Sequence, residues 1–434
     1  MQISELYRLY CQHPVVTTDS RDCPMGSLFF ALKGGNFDGN AYAASALGKG
    51  SAYAVVDDAG CVPPGDGRYI LVDNVLETLQ SLAAYHRSRL NIPVVQITGT
   101  NGKTTTKELV SAVLSRKFDT LYTEGNLNNH IGVPRTLLRI RPEHEIAVIE
   151  TGANHSGEIA FLCKMVQADC GLITNVGRAH LEGFGSFDGV RRTKGELYDD
   201  LASRHKFCFL NMMDHELLDM AAERNIRQVP YVQGVAVSGS DGTFNPFLKV
   251  RWLTPYGTAS EVQTRLIGDY NLPNVLAAIT VGLHFGVPAD QIDEAIGEYA
   301  PNNSRSEYRR TDRNELIVDA YNANASSMAV ALDNFRNMRH DAKMVILGDM
   351  RELGSESAAE HQKVADKLAG MDLCETWLVG DEFGKCDLSA IGNVMLFADV
   401  DEVKKHLAAS VVSGRLILIK GSNGTRLFQL PGLL

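Results

Sequence analysis

The 434-residue sequence lacks the features that mark membrane, secreted and nucleic-acid-binding proteins. Its eight cysteines are scattered with no Cys-x-x-Cys pair, which argues against a zinc site or a disulfide framework and predicts a reducing, cytoplasmic environment. No apolar run approaches the ~18 residues of a membrane span, and polar residues interrupt positions 1–15, so we expect no signal peptide. Lysine and arginine (42) are outnumbered by aspartate and glutamate (52), and the net charge of −10 disfavours binding to nucleic acid or anionic membrane.

What the chain does contain is typical of a multidomain globular protein. Hydrophobic residues make up 44% and charged residues 22%, enough to build buried cores. At roughly 150 residues per domain, the length predicts about three folded units. No internal repeat or low-complexity tract marks their boundaries, which must therefore come from changes in the pattern of short apolar runs.

These runs alternate with helical patterns in three stretches, which predicts an α/β fold with three domains. The second stretch opens on a buried strand at residues 94–98 and continues with the βαβ pattern of a mainly parallel sheet. A less regular, antiparallel segment follows at about 229–267, and we interpret residues 301–304 as a linker. The predicted domains are residues 1–91, 92–302 and 303–434.

Residues 98–105, Thr-Gly-Thr-Asn-Gly-Lys-Thr-Thr, carry the strongest functional signal. They follow a predicted strand and open a helix, a context in which glycines let backbone N–H groups surround an anion. Lys103 would reach terminal phosphates and the Thr104 hydroxyl would ligate magnesium. Ile97 stands where the strict phosphate-loop pattern needs glycine, so we interpret the segment as a shortened phosphate loop; the alternative is a glycine-rich turn with an incidental lysine. The predicted nucleotide-binding residues here are Gly99, Thr100, Asn101, Gly102, Lys103, Thr104 and Thr105.

Two more polar residues follow strands of the same predicted sheet. Glu150 ends an apolar strand at the carboxyl edge where the phosphate loop lies, and a carboxylate there could hold magnesium. His180 follows the next strand. Taken alone, each has a structural alternative: a turn cap for Glu150 and a packed histidine for His180. By the same standard, Lys194 is predicted to be a solvated surface lysine.

The third domain has a polar segment in the equivalent place, Asp-Ala-Tyr-Asn-Ala-Asn at residues 319–324. Asx-rich turns are usually helix caps. A tyrosine and two amides at the carboxyl end of a strand could also stack on and hydrogen-bond a ligand. Lys420, directly after the last strand, has the same two interpretations.

Taken together and in this order, these stretches resemble the Mur ligases of peptidoglycan synthesis over nearly the whole chain. The family-wide resemblance rests on residues 99–104, Glu150, Asn175, His180 and residues 194–196. Within the family, the chain resembles the enzymes that join D-alanyl-D-alanine to a UDP-muramoyl tripeptide. That narrower resemblance rests on residues 125–134, 152–155, 179–186, 321–324 and 348–354.

The resemblance implies an ATP- and magnesium-dependent ligase of cell wall biogenesis. ATP would phosphorylate the terminal carboxylate of the tripeptide, the dipeptide amine would attack the acyl phosphate, and phosphate would leave. It also implies a small N-terminal UDP-sugar-binding domain, a central phosphate-loop domain and a Rossmann-like C-terminal domain that contributes to ATP and dipeptide binding. We expect a cytoplasmic monomer with two magnesium ions, small-molecule substrates and no nucleic-acid or membrane partner. Both meso-diaminopimelate and lysine remain open as the third residue of the tripeptide.

Residue roles follow from the resemblance by position. The implied catalytic residues are Lys103, Glu150, His180 and Lys194. Of these, Glu150 with Thr104 would hold one magnesium ion and His180 would help to hold a second, while Lys194 would be a carbamoylated lysine that serves the metal site. The implied nucleotide contacts outside the phosphate loop are Asn271, Asn274, Arg305 and Asp319. The implied substrate contacts are Ser20, Arg21, Lys33, Asn128, Tyr321, Asn322 and Asn324.

Some positions depart from the family pattern, and two other functions stay open. Tyr270 stands where relatives usually have histidine, Asn303-Ser304 replace Pro-Gly, Asn423 replaces arginine, and the final helix of relatives is shortened.

A folylpolyglutamate-type ligase would share the central and C-terminal plan but lack a UDP-binding N-terminal domain. A nucleotide-dependent switch would turn over ATP without regard to an amine acceptor. Because Arg305 and Asp319 lie outside the phosphate-loop domain, we also predict that the third domain closes on ATP.

Overall fold

The computed structural model describes residues 1–237, 246–301 and 305–434. Within these ranges the chain forms four sheets and a two-stranded hairpin. None of the helices in the described ranges is long and apolar enough to cross a membrane. Residues 302–304 of the predicted linker, with the predicted boundary at 302/303 and the Asn303-Ser304 departure, lie outside the described residues.

The N-terminal unit, residues 1–91, is built on a parallel four-stranded sheet of order β1-β2-β5-β6. Side chains alternate along its strands, so Leu28 and Phe30 face one core while Phe29 packs with α2 in another. A short antiparallel hairpin, β3-β4, projects between them in sequence. The elements are α1 (Ile3–Gln12), β1 (Val16–Thr17), β2 (Leu28–Phe30), β3 (Lys33–Gly34), β4 (Phe37–Asp38), α2 (Ala43–Lys49), β5 (Tyr53–Val56), β6 (Tyr69–Leu71) and α3 (Val75–Arg87).

The central unit, residues 92–301, has a six-stranded parallel sheet of order β12-β11-β10-β7-β9-β8. Its elements are β7 (Val94–Thr98), α4 (Lys103–Leu114), β8 (Thr120–Tyr122), α5 (Gly132–Leu137), β9 (Ile146–Glu150), α6 (Glu158–Val166), β10 (Cys170–Ile173), α7 (Leu181–Phe184), α8 (Phe187–Ser203), β11 (Phe207–Leu210), α9 (His215–Glu223) and β12 (Arg227–Pro230). The predicted antiparallel segment follows as β13 (Gly234–Ala236), β14 (Phe247–Leu253) and β15 (Ala259–Ile267), and then α10 (Leu272–His284) and α11 (Ala289–Glu298).

Helices cover both faces of the central sheet, which is why its strands are nearly continuous apolar runs. Val95 and Ile97 pack against α4 and α10 on one face. On the other face, Ala147 and Ile149 belong to a core that also contains Leu79 of the N-terminal unit. The N-terminal and central units therefore share one hydrophobic core across the predicted boundary at residue 91.

The C-terminal unit, residues 305–434, has a six-stranded sheet of order β16-β17-β21-β18-β19-β20, parallel except for β16. Its elements are β16 (Glu307–Arg310), β17 (Glu315–Asp319), α12 (Ala325–Asn337), β18 (Lys343–Gly348), α13 (Ser357–Ala369), β19 (Glu375–Val379), β20 (Val394–Phe397), α14 (Val400–Ala409) and β21 (Leu416–Lys420). After β21, the described chain has three short 3-10 turns and no α-helix.

Candidate active site

A cleft of about 1030 Å³ lies at the carboxyl ends of the central strands and is closed on one side by the C-terminal unit. In the sheet, β9 and β10 lie on opposite sides of β7, so the order of the strands reverses at β7. Ligands of parallel α/β sheets commonly bind at the carboxyl ends of the strands beside such a switch point. Most of the predicted site residues meet here: Thr100, Asn101, Gly102, Lys103, Thr104, Thr105, Asn128, Glu150, His180, Asn271, Asn274, Arg305, Asp319, Tyr321, Asn322 and Asn324.

The phosphate loop connects β7 to α4 and is held in shape by the segment after β10. Gly102 has a left-handed backbone (φ = 77°), and a Cβ there would lie 2.8 Å from Asn274 Oδ1. Asn175 accepts from the Asn101 N–H and donates to the Asn101 carbonyl, both at 3.0 Å. Its neighbour Thr174 donates to the same carbonyl at 2.6 Å. β10 therefore ends at Ile173, and the following residues turn to bind the loop.

Lys103 and Arg305 bring positive charge to the cleft from two different units. Lys103 Nζ donates to the carbonyls of Gly99 (2.9 Å) and Thr100 (2.8 Å). Burial lowers the pKa of Lys103 to about 8, and the Arg305 charge acts in the same direction while Glu150 opposes it. The Arg305 guanidinium lies 3.8 Å from the centre of the Tyr321 ring, and its buried Nε has no hydrogen-bond partner. An anion bound here would compensate both cations.

Glu150 offers a buried carboxylate oxygen that nothing satisfies. The residue is 1% exposed, and its Oε1 accepts from Asn128 Nδ2 (2.7 Å) and Thr104 Oγ1 (3.2 Å). Its Oε2 is buried without a partner, which is costly for a carboxylate unless a cation binds. The alternative of a turn cap is wrong, because side chains rather than backbone N–H groups donate to this carboxylate.

This donor set fits magnesium better than a metal that needs a ready-made cage. Among the described residues, no three His, Cys, Asp or Glu side chains form a metal-binding group. Magnesium usually keeps several waters and takes one or two carboxylates together with substrate phosphates. The Glu150 carboxylate and the Thr104 hydroxyl, beside a phosphate loop, provide that combination.

Lys194 is buried, so its prediction as a solvated lysine is wrong. It is 2% exposed and its ammonium lies 5.3 Å from the centre of the Phe184 ring. Burial, and then the Lys103 charge, lower the pKa of Lys194 to about 7. No carboxylate of the described residues lies within ion-pair distance of it. The lysine belongs to α8, behind the cleft, and is not one of the residues that line it.

His180 lines the cleft at the end of the loop that follows β10. Its Nδ1 forms an ion pair with Glu352 of the C-terminal unit. Burial lowers the pKa of His180, and the Glu352 charge opposes that effect. The histidine is therefore oriented toward the cleft rather than packed in a core, although Phe184 contacts its ring edge-on.

The predicted nucleotide contacts outside the loop are held by neighbouring polar groups. Asn274 donates to Asn271 Oδ1 (2.8 Å) and accepts from Thr106 Oγ1 (3.0 Å), which connects α10 to α4. Asp319 forms an ion pair with the buried Lys420. Both asparagines and the aspartate still face the cleft.

Two residues that the sequence marked as ambiguous or unusual also have clear contacts. Asn324 caps α12 by accepting from the Ser327 N–H (2.8 Å), as the helix-cap interpretation predicts. It also donates to Asn101 Oδ1 at 2.8 Å, so it joins the C-terminal unit to the phosphate loop. Tyr270, in place of histidine, shares a 2.7 Å hydrogen bond with Ser306.

Besides Lys194, four predicted residues are not part of the cleft lining: Ser20, Arg21, Lys33 and the loop glycine Gly99. Arg21 pairs with Asp19 at 2.7 Å and Lys33 pairs with Asp57 at 2.9 Å, both on the N-terminal unit. The Gly99 backbone (φ = 143°) packs against Thr174, where a side chain would clash. The N-terminal residues therefore form a separate polar region, and their substrate role stays a prediction.

The structure adds cleft residues that the sequence analysis did not single out. Asn211 and Asp214 follow β11, and Ser326 begins α12. The sheet-edge argument that found Glu150 and His180 would also have found Asn211, because it follows the next strand along. Glu352 had no such signal, since only the docking of two units brings it to His180.

Comparison with known proteins gives one consistent family. Three family models match in order: "Mur ligase family, catalytic domain" at residues 14–87, "Mur ligase middle domain" at 97–282 and "Mur ligase, glutamate ligase domain" at 304–423. The UDP-N-acetylmuramoyl-tripeptide–D-alanyl-D-alanine ligase of Escherichia coli (strain K12) is 36% identical over 82% of this chain and 79% of its own.

Solved structures agree with the sequence comparisons. The crystal structure of MurF from Acinetobacter baumannii matches with a TM-score of 0.82 and 31% identity over 96% of this chain and 92% of that one. MurF from Thermotoga maritima, solved in complex with ADP, matches in fold with a TM-score of 0.81 and 24% identity, covering 96% of each chain.

Proposed function

The chain belongs to the Mur ligase family, and we propose on this premise that it adds D-alanyl-D-alanine to UDP-N-acetylmuramoyl-tripeptide at the expense of ATP. The matched relatives that carry this name cover most of the chain, and the Acinetobacter baumannii fold matches over 96% of it. The reaction completes the UDP-linked pentapeptide precursor of peptidoglycan.

The unsatisfied Glu150 carboxylate beside the phosphate loop is the observation that carries the proposal. A buried acidic oxygen next to the Thr104 hydroxyl, with Lys103 and Arg305 in the same cleft, suits a nucleotide with its divalent cation. Thr104 and Glu150 would hold one magnesium ion, and His180 with a carbamoylated Lys194 would serve a second. Bound magnesium neutralises phosphate charge during the transfer.

In the first half-reaction, a carboxylate oxygen of the tripeptide attacks the γ-phosphorus of ATP, and the bond to the β,γ-bridging oxygen breaks. Lys103 and Arg305 attract the phosphates by their positive charge. The N–H groups of the loop surround the phosphates, and Gly102 lets the backbone approach them. Asn271, Asn274 and Asp319 orient the nucleoside. The products are ADP and an acyl phosphate.

In the second half-reaction, the dipeptide amine attacks the acyl carbon, and phosphate leaves from the tetrahedral intermediate with one carboxylate oxygen. We assign Tyr321, Asn322 and Asn324 to the region where nucleotide and dipeptide meet. Asn128, which donates to Glu150 at the cleft floor, is assigned to the peptide substrate by its resemblance to the family. The amine loses a proton on forming the amide.

The N-terminal unit is the proposed site for the UDP end of the substrate, through Ser20, Arg21 and Lys33. This unit also separates the proposal from its rival, because we expect a folylpolyglutamate-type ligase to lack it, and residues 14–87 match a Mur ligase model.

A cytoplasmic monomer is proposed as well. Its eight cysteines are all free, as in a reducing compartment where ATP is available.

The proposal is tested by magnesium-dependent release of phosphate from ATP with UDP-muramoyl tripeptide, in the presence and absence of D-alanyl-D-alanine. We expect release to require both substrates, and mass spectrometry to find the pentapeptide. Lys103→Ala should abolish release. Turnover that ignores the dipeptide would instead support the nucleotide-dependent switch, and turnover with other amine acceptors would support a different ligase.

A further inference from the structure

One ion pair joins a proposed metal ligand of the central unit to a loop of the C-terminal unit. His180 Nδ1 is buried, has no hydrogen bond of regular geometry, and lies within ion-pair distance of the Glu352 carboxylate. We propose that Glu352 is a positioning residue that orients the His180 imidazole, and that docking of the C-terminal unit thereby completes the second metal site. The inference rests on the proposed function, since it requires His180 to serve a metal.

The loop that carries Glu352 is fixed by its own unit. Asp349 accepts from the N–H groups of Glu382 (3.0 Å) and Phe383 (3.1 Å). Arg351 N–H donates to Ser422 Oγ at 3.0 Å. Between these anchors, Glu352 has a left-handed backbone with φ = 63°. This conformation is unfavourable for a residue with a side chain.

His180 is presented in the same way from the other side. Its backbone is also left-handed, with φ = 52°, and its carbonyl accepts from the N–H groups of Gly183 (3.0 Å) and Phe184 (3.1 Å). Two non-glycine residues in a disfavoured conformation thus face each other across the interface. The Glu182 N–H lies 3.5 Å from the Glu352 carbonyl, so the two backbones also approach each other.

Stability does not explain the pair. About 53% of the Glu352 side chain is exposed, and exposed ion pairs contribute little to folding. The consequence is chemical: when the Nδ1–H faces a carboxylate, the lone pair of Nε2 is left free to bind a metal. A histidine that binds a metal commonly has such a carboxylate behind it, which fixes the ring and increases its basicity.

Because the carboxylate comes from the other unit, ring orientation depends on docking. Other polar contacts between the two units include Asn324 to Asn101 and the Arg178 N–H to Ser326 Oγ at 2.9 Å. An undocked C-terminal unit would leave His180 without its carboxylate. The second ion would then bind tightly only in the docked enzyme, which ties metal binding to closure.

The test measures Mn²⁺ binding to the full-length protein with a non-hydrolysable ATP analogue, by calorimetry and electron paramagnetic resonance. Glu352→Gln should weaken the second Mn²⁺ by about 10-fold or more and leave the first unchanged. Glu352→Asp should restore part of the affinity. Glu356→Gln removes another exposed carboxylate of the same region; it is the matched control and should bind as the wild type does.

A second readout is the ¹⁵N spectrum of His180. In the wild type we expect a protonated Nδ1 and an unprotonated Nε2, and in Glu352→Gln a mixture of tautomers. The inference is overturned if Glu352→Gln keeps both the wild-type spectrum and the second Mn²⁺ affinity. It also fails if the wild type binds a single Mn²⁺, a result that leaves the ligase activity itself standing. Loss of pentapeptide formation in the wild type would refute the proposed function instead.

Discussion

The properties of Glu150 come from where its strand ends. β9 delivers the carboxylate to the floor of the cleft, and two donors occupy Oε1 while Oε2 stays unsatisfied. The arrangement is unfavourable for the empty protein and favourable for binding a cation.

Glu150→Gln separates these two effects. The amide keeps the shape of the side chain but removes its charge, so kcat should fall by at least about 100-fold, since even partners one step further from a metal cost 10–100-fold. The melting temperature of the ligand-free protein should not fall. Added Mg²⁺ with an ATP analogue should raise the melting temperature of the wild type but not that of the variant. The control is Glu124→Gln, because the Glu124 side chain is 61% exposed in the wild type. Full activity in Glu150→Gln would contradict the account.

Lys194 is prepared for modification by the burial that lowers its pKa. An amine with a pKa of about 7 is mostly neutral at pH 8, and only the neutral amine reacts with carbon dioxide to form a carbamate. We expect ¹³C-bicarbonate to give a carbamate signal at pH 8 that declines as the pH falls below about 7.

The matched comparison uses the other buried lysine of the central unit. Lys107 is 1% exposed, but its ammonium donates to the Thr123 carbonyl at 2.8 Å and lies 3.4 Å from Glu108. The signal should be absent from Lys194→Ala and retained in Lys107→Met. A signal that survives in Lys194→Ala would assign the carbamate elsewhere.

At this scale, the sequence predicted residues whose position follows from strand ends. Lys103, Thr104 and Glu150 meet because the carboxyl ends of parallel strands share an edge. The burial of Lys194 could not be predicted from its neighbours in sequence, because it depends on how α8 packs. The Glu352 contact could not be predicted because it joins two separately folded units.

Among the elements outside the site, α3 connects the N-terminal unit to the central unit. It packs on α1, α5 and α6, and its His86 is buried between Tyr7 and Tyr10. His86 Nε2 donates to the Ile140 carbonyl at 3.0 Å, and Arg141 binds the Tyr10 hydroxyl at 2.7 Å. The helix therefore carries a polar connection through the core that the N-terminal and central units share.

This connection should weaken in acid. Burial lowers the pKa of His86 below its ordinary 6.5, opposed by the Ile140 carbonyl and assisted by the Arg141 charge. The unfolded chain then binds the extra proton more readily, so the contribution is fully present above about pH 6.5 and is lost as the pH falls toward the lowered pKa. In denaturant titrations at pH 5.5–7.5, His86→Gln should reduce the pH slope of the unfolding free energy by up to about 1.4 kcal/mol per pH unit. An identical slope in both proteins would contradict the assignment.

Strong apolar runs made most central elements predictable. The strand at residues 94–98 is confirmed without change as β7. β16 was not predicted, because this edge strand is mostly charged and gives no apolar pattern. β20 was also missed, although its four residues are all apolar. Nor does an apolar run say which partner it packs against, so the core shared by two units was not foreseen.

At the scale of the whole molecule, the candidate active site lies between the central and C-terminal units. The N-terminal and central units share a core. The C-terminal unit includes Ile267 of β15 in its own core, and it meets the phosphate loop through polar contacts such as Asn324 with Asn101. Contacts of this polar kind can break and reform, which suits a unit that must admit ATP and release ADP.

Closure of the C-terminal unit therefore stays a prediction with a direct measurement. Small-angle scattering should show a smaller radius of gyration with an ATP analogue and both substrates than in the free protein. Asn324→Ala, which removes a contact with the loop, should shift the free protein toward a larger radius. An unchanged radius on addition of ligands would count against closure.

The fate of the carboxylate oxygens tests the central claim most directly, namely that the cleft forms an acyl phosphate and passes it to an amine. UDP-muramoyl tripeptide labelled with ¹⁸O in its terminal carboxylate is turned over with ATP and D-alanyl-D-alanine, and the released phosphate is analysed by mass. One ¹⁸O per phosphate, with the other retained in the new amide, is the predicted result. Phosphate that carries no ¹⁸O, because its added oxygen came from ordinary water, would mean simple ATP hydrolysis and would contradict the account.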